Sequence, residues 1–200
     1  GDCNAMMLDA DGTVWSVGYN SNGELGLGHG DSRSLPQHVK TSDGNDIMRN
    51  VKDISTGTNH TVMLKEDGTV WSVGYNGYYQ LGDTTNVSKS LPVQVVDADK
   101  NPIKNIKQIV AEGYSSMFVT NDGLYVVGRN DNGQLFTQTN TNIKTLTKVN
   151  YDKDIFKINL TRHYNGAQTG VLVDQDGKVY TVGYNVDGEM GNETVESLIK

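Results

Sequence analysis

Apolar residues in this chain fall into short runs rich in Val, Ile, Leu, Trp and Tyr, separated by polar stretches dense in Gly, Asn and Asp. No stretch keeps a helical period through three turns, so the runs read as strands. Val70-Trp-Ser-Val73 and Leu124-Tyr-Val-Val127 are too short for helices, and their β-branched and aromatic content suits strands buried on both faces. An Asp-Gly pair stands before each of them, and before that pair lies a second apolar run: Ala5–Leu8, Thr61–Leu64, Ser116–Val119 and Gly170–Val173. Asp-Gly between two apolar runs predicts a tight β-hairpin, with a type I′ turn in which Gly accepts positive φ and Asp tolerates it.

The hairpin recurs. Asp11, Asp67, Asp122 and Asp176 open its copies at steps of 56, 55 and 54 residues, and each copy closes on Gly-x-Asn at Asn20, Asn76, Asn130 and Asn185. Those Asn read as structural, because Asn side chains bond nearby backbone in turns. In the turn-rich segment that follows, one apolar residue holds its place (Leu25, Leu81, Leu135, Met190) and pins the loop to the core. A third run comes next, at Leu35–Val39, Leu91–Val95 and Leu146–Val149. After a spacer of Asp, Asn and Lys, the runs Val51–Ile54, Ile106–Ile109 and Ile155–Ile158 open the following unit. Self-similarity at a fixed period outranks any single motif. Four strands per period with Gly-rich turns predict an all-β chain, a β-propeller of four-stranded antiparallel blades with units near 1–50, 51–105, 106–154 and 155–200. About 3.5 to 4 blades are expected, because Gly1 aligns with Gly57, past the opening strand, and Ser197–Lys200 falls inside the last strand of unit four.

The order of Gly, apolar strand, Asp-Gly, Val-Trp/Tyr, Val-Gly-x-Asn-x-x-Gly-Gln/Glu-Leu-Gly and Leu-Pro-x-x-Val resembles the regulator-of-chromosome-condensation repeat family over nearly the whole chain. Thr58 to Gly82 is the fullest copy, with Gly57 and His60 at the family's small-residue and His positions. Val17, Val73, Val127 and Val182 stand where the family often has an aromatic, Tyr79 replaces a loop Gly, and Phe136 replaces the last Gly of its unit. The resemblance implies a ring of about seven blades, of which this chain is roughly half; the alternative, closure as a four-blade ring, would need the ragged ends to complete one another's sheets. It also implies a non-catalytic scaffold whose loop face binds another protein. Family members serve as exchange factors for small GTPases, as ubiquitin-ligase substrate modules and, in a bacterial relative, as a β-lactamase inhibitor, but no wedge-like insertion of the exchange-factor kind interrupts this period. By resemblance rather than by spacing, a chain of this acidic charge with plain polar spacers looks like a repeat region of a large bacterial or phage surface protein. An extracellular or cell-surface setting is therefore expected, with the cytoplasm left open.

The net charge of −7, with Lys and Arg scattered, argues against a nucleic-acid partner held through phosphates. No apolar stretch approaches the roughly 20 residues of a membrane span, so no membrane insertion is expected. One cysteine, Cys3, excludes an intrachain disulfide and reads as a buried small residue at a strand start. Unpaired strand edges make self-association through the end blades an expectation.

Candidate chemistry is sparse. Met6 to Thr13 carries Asp9-x-Asp11-Gly-Thr, the form of a haloacid-dehalogenase-type phosphatase motif in which one Asp attacks phosphorus and the other is acid/base beside Mg²⁺. The repeat argues against it: the Asp9 position is Lys65 in unit two and Thr120 in unit three, and βα alternation is missing. Asp9/Asp11 and Asp174/Asp176 open like calcium loops but lack the later carboxylates and bidentate Glu. The Gly-rich stretches lack the Lys-Ser/Thr ending of a phosphate loop. His29, His38, His60 and His163 have no ligand spacing, and His60 is expected to bond within its blade. No nucleophile signature appears, so neither an enzyme nor a metal or cofactor is expected. The functional signal is Tyr19, Tyr75, Arg129 and Tyr184, each between the strand-ending Gly and Asn, joined on one rim by Tyr78, Tyr79, Asn22 and Asp131. Tyr and Arg are enriched at protein-binding hot spots, and exposed tyrosines also stack on sugar rings, which leaves glycan binding as the second reading. Repetition at equivalent positions also fits rings that only pack over neighbouring turns.

Overall fold

Residues 3–191 are described in a computed structural model. They form four antiparallel sheets and, among the described residues, no helix. The first sheet is β1 (Asn4–Leu8), β2 (Val14–Gly18) and β3 (Arg33–His38); the second is β4 (Val51–Thr56), β5 (His60–Lys65), β6 (Val70–Gly74) and β7 (Lys89–Gln94). The third is β8 (Gln108–Glu112), β9 (Ser115–Thr120), β10 (Gly123–Gly128) and β11 (Ile143–Lys148), and the fourth is β12 (Ile155–Arg162), β13 (Gln168–Asp174) and β14 (Val179–Gly183). Each sheet pairs its strands in chain order. The opening strands β4, β8 and β12 pack side by side, so the sheets are propeller blades set around a common axis. The Ser197–Lys200 strand expectation lies outside the described residues.

The cores sit between blades, because a strand buried on both faces needs a neighbour on each. Val14, Val39 and Met48 of the first blade pack with Val51, Met63 and Val73 of the second. Val62, Leu64 and Val70 of the second meet Ala111, Phe118 and Val127 of the third. Met117, Leu124 and Val126 of the third meet Ile158, Leu160 and Leu172 of the fourth.

Several local expectations are corrected. The Asp-Gly hairpins are not type I′: only the Gly takes positive φ (81°, 78° and 80° at Gly12, Gly68 and Gly177), while the Asp does not. Asp9 N–H donates to Thr13 O and Gly12 N–H to Asp9 O, the three-residue loop that ends in a left-handed Gly. Unit three shortens this loop by one residue, pairing Thr120 directly with Gly123. The third strands begin two or three residues before the apolar runs, and β8 begins at Gln108, leaving Ile106 buried outside a strand. Cys3 is exposed.

The substituted glycines keep glycine geometry. Tyr79 has φ 69° where Gly23, Gly133 and Gly188 have 79°, 73° and 81°, and Phe136 has φ 60° where Gly26, Gly82 and Gly191 have 69°, 63° and 63°. Packing of each ring against an interblade core offsets the strain of a left-handed aromatic residue.

His60 bonds across blades rather than within its own. Ser116 Oγ donates to Gln80 O at 2.8 Å and so accepts from His60 Nε2–H at 2.9 Å, while the buried Nδ1 has no partner. Burial drives the imidazole down from 6.5 to about 3. The unfolded chain therefore takes up a proton near pH 6.5 that the folded chain refuses. Stability is full above that pH and falls as pH drops toward 3, by about 2 kcal/mol at pH 5. Urea titrations at pH 7 and pH 5 should show this loss in the wild type and a smaller one in His60→Gln; equal slopes would refute it.

Candidate functional site

The end of each sheet where β2, β6, β10 and β14 finish forms one face. The Asn one residue beyond the strand-ending Gly and Tyr/Arg pair builds its loops. Asn20, Asn76, Asn130 and Asn185 are 0% exposed. Their Oδ1 accepts the N–H of Leu25, Leu81, Leu135 and Met190 at 2.8 to 2.9 Å. Asn20 Nδ2 donates to His29 O and Asp31 O, Asn76 Nδ2 to Thr85 O and Val87 O, and Asn130 Nδ2 to Thr139 O and Thr141 O. The carbonyls of Leu25, Leu81 and Met190 accept from Ser16, Ser72 and Thr181, which ties each loop to its own strand. Rigid loops of this kind hold rim side chains in place.

On that frame the rim residues fall into three groups. Tyr19 is 46% exposed and its hydroxyl accepts from Ser21 Oγ at 2.5 Å. Tyr75, Tyr78 and Arg129 come together. Tyr75 and Tyr78 pack at 6.2 Å between ring centroids, and both pack on Tyr114, at 5.5 and 5.2 Å. The Arg129 guanidinium lies 5.8 Å from the Tyr78 ring, pairs with Asp131 at 2.6 Å and donates to Gly166 O. Burial, followed by the neighbouring Tyr78 and Tyr114, raises the Tyr75 phenol. Tyr184 lies on the fourth blade, 5.1 Å from the His163 ring and bonded to Asn165 Nδ2. Tyr79 turns instead to the core between the second and third blades.

Sequence reasoning missed Tyr114, His163 and Tyr164. They sit in the β8–β9 and β12–β13 loops, and Tyr164 is 95% exposed. A signal existed: in an antiparallel meander the first turn of a blade lies at the same end as the Gly-x-Asn turn.

The opposite face carries the Asp-Gly turns. Asp9 is occupied there: its carboxylate accepts from Thr13 N, Asp11 N and Trp15 Nε1, and Asp11 accepts from Thr13 N and Oγ1. These hydrogen bonds, the indole first, hold Asp9 down at about 2. The dehalogenase-type reading of Asp9 and Asp11 falls, since the sheets are antiparallel and the parallel α/β scaffold is absent. Asp174 is buried beside the Tyr151 and Tyr180 hydroxyls and Lys153. Among the described residues no cluster of His, Cys, Asp and Glu is arranged to hold a metal, and no helix is long and apolar enough to cross a membrane.

Known proteins share this architecture. The family model described as regulator of chromosome condensation (RCC1) repeat matches residues 11–64 and 67–119, and a second model of that description matches residues 51–80. The ultraviolet-B receptor UVR8 of Arabidopsis thaliana is 25% identical over 96% of this chain and 41% of its own length. The probable E3 ubiquitin-protein ligase HERC4 of Homo sapiens is 29% identical over 72% of this chain and 13% of its own. Human WBSCR16 superposes over all of this chain and 50% of its own at TM-score 0.80 and 19% identity. Prp20p of Saccharomyces cerevisiae does so over all of this chain and 48% of its own at TM-score 0.75 and 21% identity. The chain thus spans half or less of the length of these proteins.

Proposed function

The chain belongs to the regulator of chromosome condensation (RCC1) repeat family, and on that premise we propose that it is a module of a longer propeller that binds another protein through the rim built on the Gly-x-Asn loops. The observation that carries this is the Tyr75–Tyr78–Tyr114 cluster beside Arg129, which joins the second and third blades on one face. Clustered Tyr and Arg over a rigid support are the composition of a binding hot spot. Protein binding is described for one protein of this fold: yeast Prp20 has been solved with Kap60 bound, and Prp20p has described binding properties to Gsp1p and histones. Nucleic acid stays outside the proposal, because Arg129 and Arg162 on this face already engage Asp131 and Glu112. A setting in a large surface protein accompanies the proposal by resemblance to repeat regions of such proteins.

In affinity capture from the native cell extract, a partner held by the wild type should be lost with Tyr78→Ala/Tyr114→Ala and kept with Asp99→Ala/Asp176→Ala on the opposite face. For a hot spot worth about 2 kcal/mol the weakening is about 30-fold. Equal capture by both variants would remove the rim. Glycan-array binding lost in Tyr75→Ala would turn the reading to a sugar on the same rings.

A further inference from the structure

The loop residue four places after the rim-loop Asn has one design across the blades and one exception. Gln80, Gln134, Glu24 and Glu189 each accept the N–H two residues back, at 3.0, 3.1, 2.7 and 2.9 Å. In the second and third blades the side chain is a neutral amide, and in the fourth Glu189 lies 3.4 Å from His163 Nδ1. In the first blade Glu24 is 0% exposed. Among the described residues no cation pairs with it. Its Oε2 is fixed by Asn22 N–H, while Oε1 has only the Asn22 and Asn59 side-chain amides, both at 3.4 Å. A buried carboxylate so weakly partnered is costly unless a charge meets it.

Glu24 also lines a cavity of about 290 Å³ between the first three blades, with Tyr19 and Tyr114 among its walls and Asn4, Thr58 and Asn59 around them. Tyr114 belongs at once to this cavity and to the rim cluster. Tyrosine faces accept the alkyl stem and positive head of a basic side chain. The nearby Arg162 is already turned to Thr58 Oγ1 at 2.6 Å and to Glu112.

We infer that the cavity receives a lysine side chain of the partner protein, its ammonium displacing the two long amide contacts on Glu24 Oε1; this deepens the rim proposal and rests on it. Lysine is favoured over arginine because only one carboxylate oxygen, Oε1, is held by contacts long enough to be displaced, and a guanidinium fork needs two. Arg162 holds Thr58 on the cavity wall and leaves Glu24 to the incoming charge.

The test uses a small probe and no partner, so it can fail while the rim still binds protein, and succeed where the rim does not. Nα-acetyl-lysine amide is titrated into the folded chain, with NMR followed at the Asn22 backbone and Asn59 side-chain amides. Saturable shifts are expected at both, weakened at least about tenfold in Glu24→Gln. That variant is expected to fold, since Gln occupies the same place in the second and third blades. Nα,Nε-diacetyl-lysine amide should give none, and Nα-acetyl-arginine amide should bind more weakly. Absent shifts, equal shifts in Glu24→Gln, or equal binding of the neutral or arginine probe would overturn the assignment.

Discussion

Gly74→Ala is expected to lower unfolding stability by about 3 kcal/mol or more, against about 1 to 2 kcal/mol for Gly177→Ala, with both read from denaturant midpoints. Gly74 has φ 113°, outside the range of L residues, and a Cβ there would run into the carbonyl oxygen of Asn59 and lie 2.9 Å from His60 Cα. Both obstacles are backbone, at the start of the adjacent strand and in the residue before it, and cannot turn aside. The position recurs: Gly18, Gly128 and Gly183 have φ 112°, 116° and 110°, and a Cβ on them would meet the carbonyls of Cys3, Tyr114 and Gln168 at 2.5, 2.5 and 2.6 Å. A register shift accompanies the first three of these glycines, so the residue lets each strand leave its sheet toward the rim. Gly177 sits in a hairpin at φ 80° with nothing within 4 Å of its Cβ position, so only backbone strain opposes its Ala. Similar losses at the two sites would contradict this reading.

Asn76→Ala should cost about 3 kcal/mol, because it strands several buried groups at once. Leu81 N–H loses its acceptor at 2.9 Å, and the carbonyls of Thr85 and Val87 and the Asp83 carboxylate lose their shared donor. Asn76→Asp restores the acceptor but not the donor, and places a charge against Asp83, so it should be no better than Ala. Thermal unfolding of the three proteins at neutral pH checks this. A loss under about 1 kcal/mol in Asn76→Ala would show that water or loop motion can replace the side chain.

The period made the blades legible, because every copy repeats the strand, turn and strand that one sheet needs. Asp-Gly, the strand-ending Gly and Asn20, Asn76, Asn130 and Asn185 could be read as structure from recurrence alone. Turn type could not, since a left-handed Gly preceded by Asp serves both a two-residue and a three-residue loop. Nor could the partner of His60, because Ser116 is 56 residues away and meets it only once two blades stack. The rim was half legible. Tyr75, Tyr78 and Arg129 stood out beside the repeated Gly and Asn, whereas Tyr114 lies in a loop with no such landmark, and Tyr79 could be assigned to the core only from its packing. Glu24 carried no signal in isolation; its meaning comes from the amides that fill its place in the next two blades.

Photo-crosslinking is the most direct test of the rim as the binding surface. A benzoylphenylalanine placed singly at position 78, 114 or 164 should join the native partner, and at position 99 or 176 on the opposite face it should not. Adducts formed from positions 99 and 176 but not from the rim would contradict the account.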